Sequence, residues 1–131
     1  MFGKNWYIHN NSEDGIFIER STIVVDNFTT AHNVKSGAHV FDARFITFDN
    51  LTSHNNGEAG LYYLNSNDIE SSSGDVACWN CTVVDNNQGV VIEDSVDIWF
   101  ENLKSHNPQI GAPVSIDNSG FTGIRGGDFN S

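Results

Sequence analysis

The stretch DNFTTAHNVKSGAHVFDARFITFDNLTSHN, residues 26–55, states one pattern twice. Asp26-Asn27-Phe28-Thr29 returns as Asp49-Asn50-Leu51-Thr52, and Ala31-His32-Asn33 returns as Ser53-His54-Asn55. Asn and His are kept while the apolar residues change in kind. Working outward, Asn followed by an apolar or small residue recurs at Asn5-Trp6, Asn27-Phe28, Asn50-Leu51, Asn80-Cys81 and Asn102-Leu103, with Asp128-Phe129 as a truncated sixth copy. The steps are 22, 23, 30, 22 and 26 residues. Gly15, Gly37 and Gly60 follow their Asn by ten residues, and Gly89 and Gly111 follow theirs by nine. Two markers that keep phase over five copies define a repeat architecture.

Within each copy the apolar period is two. Ile16 and Ile18, Ala38 and Val40, Leu61 and Tyr63, Val90 and Ile92, and Ala112 and Val114 follow the glycines. Ile23 and Val25, Ile46 and Phe48, Val76 and Cys78, and Ile98 and Phe100 precede the asparagines, and a third alternating run follows them. Three short strands separated by turn residues, with no helical pattern, is the expected content of a copy. Leucine-rich repeats share the period but need Leu at most core positions, and the chain holds four Leu. The remaining solution is all-β: a right-handed parallel β-helix, a solenoid of about five to six coils of three short strands.

The pattern of Gly and alternating apolar residues, then alternating apolar residues ending in Asn, resembles the coils of the pectate-lyase-like β-helix superfamily over nearly the whole chain. That superfamily includes polysaccharide lyases, hydrolases, epimerases and phage tailspikes. The resemblance implies that Asn27, Asn50, Asn80 and Asn102 occupy the tight corner between the second and third strands. Asn tolerates a left-handed backbone there, and its amide bonds to the Asn of the coils above and below. Asn27, Asn50 and Asn80 also begin glycosylation sequons; the ladder is the preferred reading, on the expectation that these side chains are enclosed.

With 131 residues the chain suits one β-helix domain, 1–131. Open strand edges at both ends, and a Met1–Trp6 stretch without the apolar run of a signal peptide, suit a segment of a longer protein. Seventeen acidic against six basic residues, formally −11, would repel nucleic-acid backbones and anionic lipid headgroups. No apolar run approaches the roughly 18 residues that a membrane-spanning helix needs. Cys78 and Cys81 fall on inward positions and read as core, with a bridge available in an oxidising compartment.

Function is sought on outward positions. Two residues after the glycines stand Phe17, His39, Tyr62, Val91 and Pro113, and four after stand Glu19, Phe41, Leu64, Glu93 and Ser115. So apolar an outer face points to cover by a neighbouring chain or to a sugar-binding groove. The carbohydrate-binding candidates are Phe17, His39, Phe41, Tyr62 and Leu64, with Glu19 and Glu93 as hydrogen-bond acceptors. The 30-residue step leaves a polar insertion at 65–75 beside this face. Asp42 and Asp94, two coils apart, are the best pair of catalytic carboxylates, yet none of the superfamily's site motifs is present, and Arg125 alone is a weak basis for lyase chemistry. His9, His32, His54 and His106 read as a stacked column rather than a metal site. No cofactor is expected; Asp26 and Asp49, in phase with Glu101, would suit Ca2+ if any metal binds.

The function expected is an extracellular or virion-surface module that binds or displays a surface to polysaccharide, as the tailspike resemblance implies. A homotrimer, or contact with the rest of a larger protein, would cover the apolar face. The alternatives are a polysaccharide lyase, hydrolase or epimerase, and a purely structural stalk.

Overall fold

A computed structural model describes residues 2–44, 46–66, 78–96, 98–120 and 122–130. Among them are twelve strands and no helix. One sheet (sheet A) stacks β1 (Phe2–His9), β3 (Ile23–Ala31), β5 (Ile46–His54), β7 (Cys78–Trp79) with β8 (Thr82–Val84), β10 (Trp99–His106) and β12 (Gly123–Asn130). The other (sheet B) stacks β2 (Ile16–Glu19), β4 (Ala38–Phe41), β6 (Ala59–Leu64), β9 (Gln88–Glu93) and β11 (Val114–Asp117). Every pairing is parallel and joins one coil to the next, as in Val25↔Phe48 and Val40↔Tyr63. The chain therefore winds as a parallel β-solenoid of about five turns. The second and third segments of each coil run on as one strand bent at the Asn corner; only at Asn80 does the bend divide them, into β7 and β8.

Three corners turn each coil, and each turns on one residue with a left-handed backbone. Asn5, Asn27, Asn50, Asn80 and Asn102 form one column, Asn10, His32, Asn55, Asp85 and Asn107 the second, and Arg20, Asp42, Asn65, Asp94 and Asn118 the third. Among the described residues fifteen non-glycine residues have positive φ, and thirteen are Asn or Asp. Other L-residues pay roughly 1–2 kcal/mol for this backbone, so the corner explains the asparagines. At the first corner the ladder is present, with Asn27 Nδ2 donating to Asn5 Oδ1 at 2.7 Å and Asn102 Nδ2 to Asn80 Oδ1 at 3.1 Å. The expectation of enclosure fails: these side chains are exposed, because the left-handed residue sits on the outside of the bend.

A second, enclosed ladder lies one residue after the second corner. Asn33, Asn56 and Asn86 are 3%, 3% and 1% exposed. Asn33 Nδ2 donates to Asn56 Oδ1, and Asn56 Nδ2 to Asn86 Oδ1, both at 2.9 Å. The backbone N–H of Asn33 and of Asn56 donates to the same oxygens. Thr30 and Ser53 complete the network by accepting from Asn33 and Asn56 and donating to the carbonyls of Gly37 and Gly60. The repeat glycines abut this column: a Cβ at Gly37 would lie 2.3 Å from Ser53 Oγ and 2.8 Å from Asn56 Nδ2. Both markers of the repeat thus trace to polar ladders at the bends.

The core between the sheets is a stack of apolar columns, with Val25, Phe28, Phe48, Leu51, Leu61, Tyr63, Ile92 and Leu103 all fully buried. Phe28 and Phe48 stack at 6.0 Å between ring centroids. Cys78 and Cys81 lie in this core and form a disulfide across the Asn80 bend, so the bridged form stands.

The register corrects four alignments. His106 pairs with Val84 and Val114 with Val90, so the fifth coil carries two extra residues at the turn that holds Gly111. Gly111 therefore lies outside the glycine column: its φ is +75° and nothing lies near its absent Cβ. The outward residues of β11 become Ser115 and Asp117, opposite Val91 and Glu93, in place of Pro113 and Ser115. The sixth equivalent of the corner Asn is Gly126, at φ +62°, in place of Asp128. Ala31, not His32, faces His9 and His54; His32 is itself a corner residue, edge-on to His54 at 5.4 Å.

Removing a buried rung should be costly. Asn56→Ala strands donors and acceptors on two neighbouring coils and is expected to destabilise by about 3 kcal/mol or more at roughly 1–3 kcal/mol per orphaned group. Asn50→Gly at the exposed ladder keeps the left-handed backbone and should cost under about 1 kcal/mol; urea denaturation compares the two. Replacing both cysteines by Ala should cost about 2 kcal/mol from the small loop alone, before any loss of packing, read as a lower midpoint that reductant no longer alters.

Candidate functional site: the outer face of sheet B

Sheet B presents two outward columns in register. One is Phe17, His39, Tyr62, Val91 and Ser115; the other is Glu19, Phe41, Leu64, Glu93 and Asp117. The period-two alternation put all seven carbohydrate-binding candidates on this face, and the structure brings them together.

Their exposure is unequal. His39 and Tyr62 stack on each other at 4.7 Å and 25°, so each ring spends a face on its neighbour. Tyr62 also donates its hydroxyl to Glu93 Oε2 at 2.8 Å, leaning over the next coil, where Val91 is 6% exposed. Phe41 and Leu64 are half-buried. Phe17 stands edge-on to His39 at 4.9 Å and 73° and stays 50% exposed. The face is thus largely self-covered, and the ring still open is Phe17.

Phe17 lines a recess of about 520 Å3 with Glu13, Asp14, Lys35, His39 and Glu58. Glu13, Lys35 and Glu58 stack at the turn into sheet B, since Lys35 N–H donates to Glu13 O and Glu58 N–H to Lys35 O, each at 3.1 Å. Lys35 Nζ is paired with the Glu13 carboxylate, and that hydrogen bond holds the ammonium above its usual range. Asp14 accepts the Ser36 N–H at 2.9 Å and lies 3.3 Å from His39 Nδ1. A carboxylate only accepts, so Nδ1 carries a proton. His39 Nε2 is buried without a hydrogen-bond partner among the described residues.

Sequence reasoning missed Glu13, Asp14, Lys35 and Glu58. Their signal was the two positions before each repeat glycine, which hold Glu13-Asp14, Lys35-Ser36 and Glu58-Ala59. Two larger depressions, about 590 and 800 Å3, run over polar corner residues and present no Phe, Tyr or Trp.

Asp42 and Asp94 do occupy equivalent third-corner positions two coils apart. Asp42 Oδ2 accepts from Arg20 Nε at 2.7 Å, and Asp94 Oδ1 from Asn118 Nδ2 at 2.6 Å. Their geometry is that of corner residues tied to the adjacent coil. Asp26 pairs with Asp49, Lys4 Nζ stands 3.8 Å from Asp26, and Trp79 separates Asp49 from Glu101. Among the described residues no three His, Cys, Asp or Glu converge as metal ligands. Arg125 lies over the Trp99 ring at 5.6 Å, on sheet A. The insertion lies outside the described residues except for Asn65, a third-corner residue, and buried Ser66, whose N–H donates to Ser95 Oγ.

A polar-laddered parallel solenoid with a recess on one sheet face is the class of protein that fold and site define. Residues 3–129 match the family described as right handed beta helix region, and the chain belongs to that family. No curated protein and no solved structure matches it.

Burial, with the hydrogen bond to Glu93, pushes the Tyr62 phenol from 10.0 up to about 12. A raised folded value favours the folded state fully below pH 10 and loses that contribution as pH climbs to about 12. Denaturation midpoints should therefore fall more steeply between pH 10 and 12 in the native chain than in Tyr62→Phe. Equal slopes would show that Tyr62 is not held this way.

Proposed function

We propose that this chain is a carbohydrate-binding β-helix module working outside the cell or on a virion surface, with the outer face of sheet B as its contact. The observation that carries the reading is the half-exposed Phe17 ring inside a recess rimmed by Glu13, Asp14 and Glu58. A pyranose has an apolar face that packs on an aromatic ring and hydroxyls that donate to carboxylates, so one ring flanked by acceptors suits it. Parallel strands tied from coil to coil by ladders at the bends supply a stiff platform, which lowers the ordering cost of binding. Phe17, His39 and Asp14 form the heart of the site in this reading. Phe41, Tyr62, Leu64, Glu19 and Glu93 extend the face along the solenoid axis.

The rival enzymatic reading rests on Asp42 and Asp94, whose bonds to Arg20 and Asn118 already have a structural purpose. The test is affinity electrophoresis of the chain through gels holding soluble polysaccharides, with reducing ends assayed in parallel. Retardation without new ends is expected, and Phe17→Ala should weaken it at least about tenfold, or roughly 1.4 kcal/mol. Trp79→Ala, which removes an exposed ring of sheet A, should change it less than about twofold. New reducing ends that vanish in Asp42→Asn with Asp94→Asn would replace the proposal with catalysis.

A further inference from the structure

The charge around the Phe17 recess narrows the class of glycan. We propose that the recess takes an uncharged polysaccharide and rejects uronate chains; this rests on the carbohydrate-binding reading and adds a substrate class to it. The cation that lines the recess and the cation at the turn out of β2 are both engaged. Lys35 is paired with Glu13, and Arg20 with Asp42. Glu58 completes the recess rim, Asp14 is turned to His39, and Glu93 and Asp117 continue the acidic column at the other end of the face. Uronate recognition needs a cation, best a forked guanidinium, aimed at the sugar carboxylate. Here that carboxylate would meet other carboxylates instead, and like charges brought together cost affinity. A neutral sugar avoids the repulsion, and its hydroxyls use the same oxygens as acceptors. The acidic rim thus acts as a filter around a site defined by the exposed ring.

The test uses the whole chain against dextran, galactomannan and xyloglucan as neutral probes and polygalacturonate and alginate as uronate probes. Binding is followed by calorimetry at about 20 mM and 500 mM salt. The expected result is binding to at least one neutral probe that Phe17→Ala weakens, with uronates at least roughly tenfold weaker at low salt. That gap should narrow at high salt, where screening shortens the range of repulsion. Glu13→Gln with Glu58→Gln releases the Lys35 ammonium and removes two rim charges, and it should raise uronate affinity relative to that for the neutral ligand. Uronates that bind the native chain as tightly as neutral probes, through Phe17, would overturn the neutral-glycan inference and leave carbohydrate binding standing. Failure of every probe to bind would overturn both.

Discussion

Everything in this chain depends on how the backbone turns a corner. A parallel coil must reverse direction several times in about 22 residues, and each reversal leaves polar groups that cannot pair along a strand. The structure answers with a left-handed residue at each bend and a side-chain ladder that binds the orphaned groups to the next coil. The buried column Asn33, Asn56 and Asn86 is the tightest case: each amide bonds to the next, and shared oxygens also accept backbone N–H groups. Buried amides without such partners would be heavily penalised. The glycines follow from the same column, because the neighbouring backbone must come close enough for its carbonyls to accept from Thr30 and Ser53.

That constraint also sorts ornament from site. Asn, Asp and His are abundant on the surface of this chain, and most of them belong to bends. Asp42, Asp94 and His32 all have positive φ, and each occupies a column whose other members are mainly Asn or Asp. Their side chains bond or pack along the solenoid axis, coil to coil. In the proposed reading recognition falls to a sheet face, where side chains are free of the bends, and sheet B offers the exposed Phe17 ring there, while His39 and Tyr62 are packed on each other.

The third corner shows the same economy in a different alphabet. Ser66 and Ser95 accept N–H groups from the preceding coil and donate to their own chain two residues back. Ser21 and Ser119 donate in the same way, to the carbonyls of Glu19 and Asp117. Serine suffices where the bend is short. The second corner, wider and enclosed, takes the longer reach of Asn.

The repeat, the parallel solenoid and the inward columns were legible in the sequence because the period-two alternation and the Asn spacing are local and recur in every coil. The phase of the fifth coil was not, since two added residues at the Gly111 turn leave inward and outward parity unchanged and only shift which residues are neighbours. The exposed and buried ladders were also indistinguishable in sequence, as adjacent asparagines such as Asn55 and Asn56 differ only in which side of the bend they face. The site divided in the same way. Alternation placed Phe17, His39 and Tyr62 on one face, but only packing showed that His39 and Tyr62 cover each other and leave Phe17 open. Glu13, Lys35 and Glu58 join it through the stacking of turns 22 and 23 residues apart, a juxtaposition made by the coil and not by the chain.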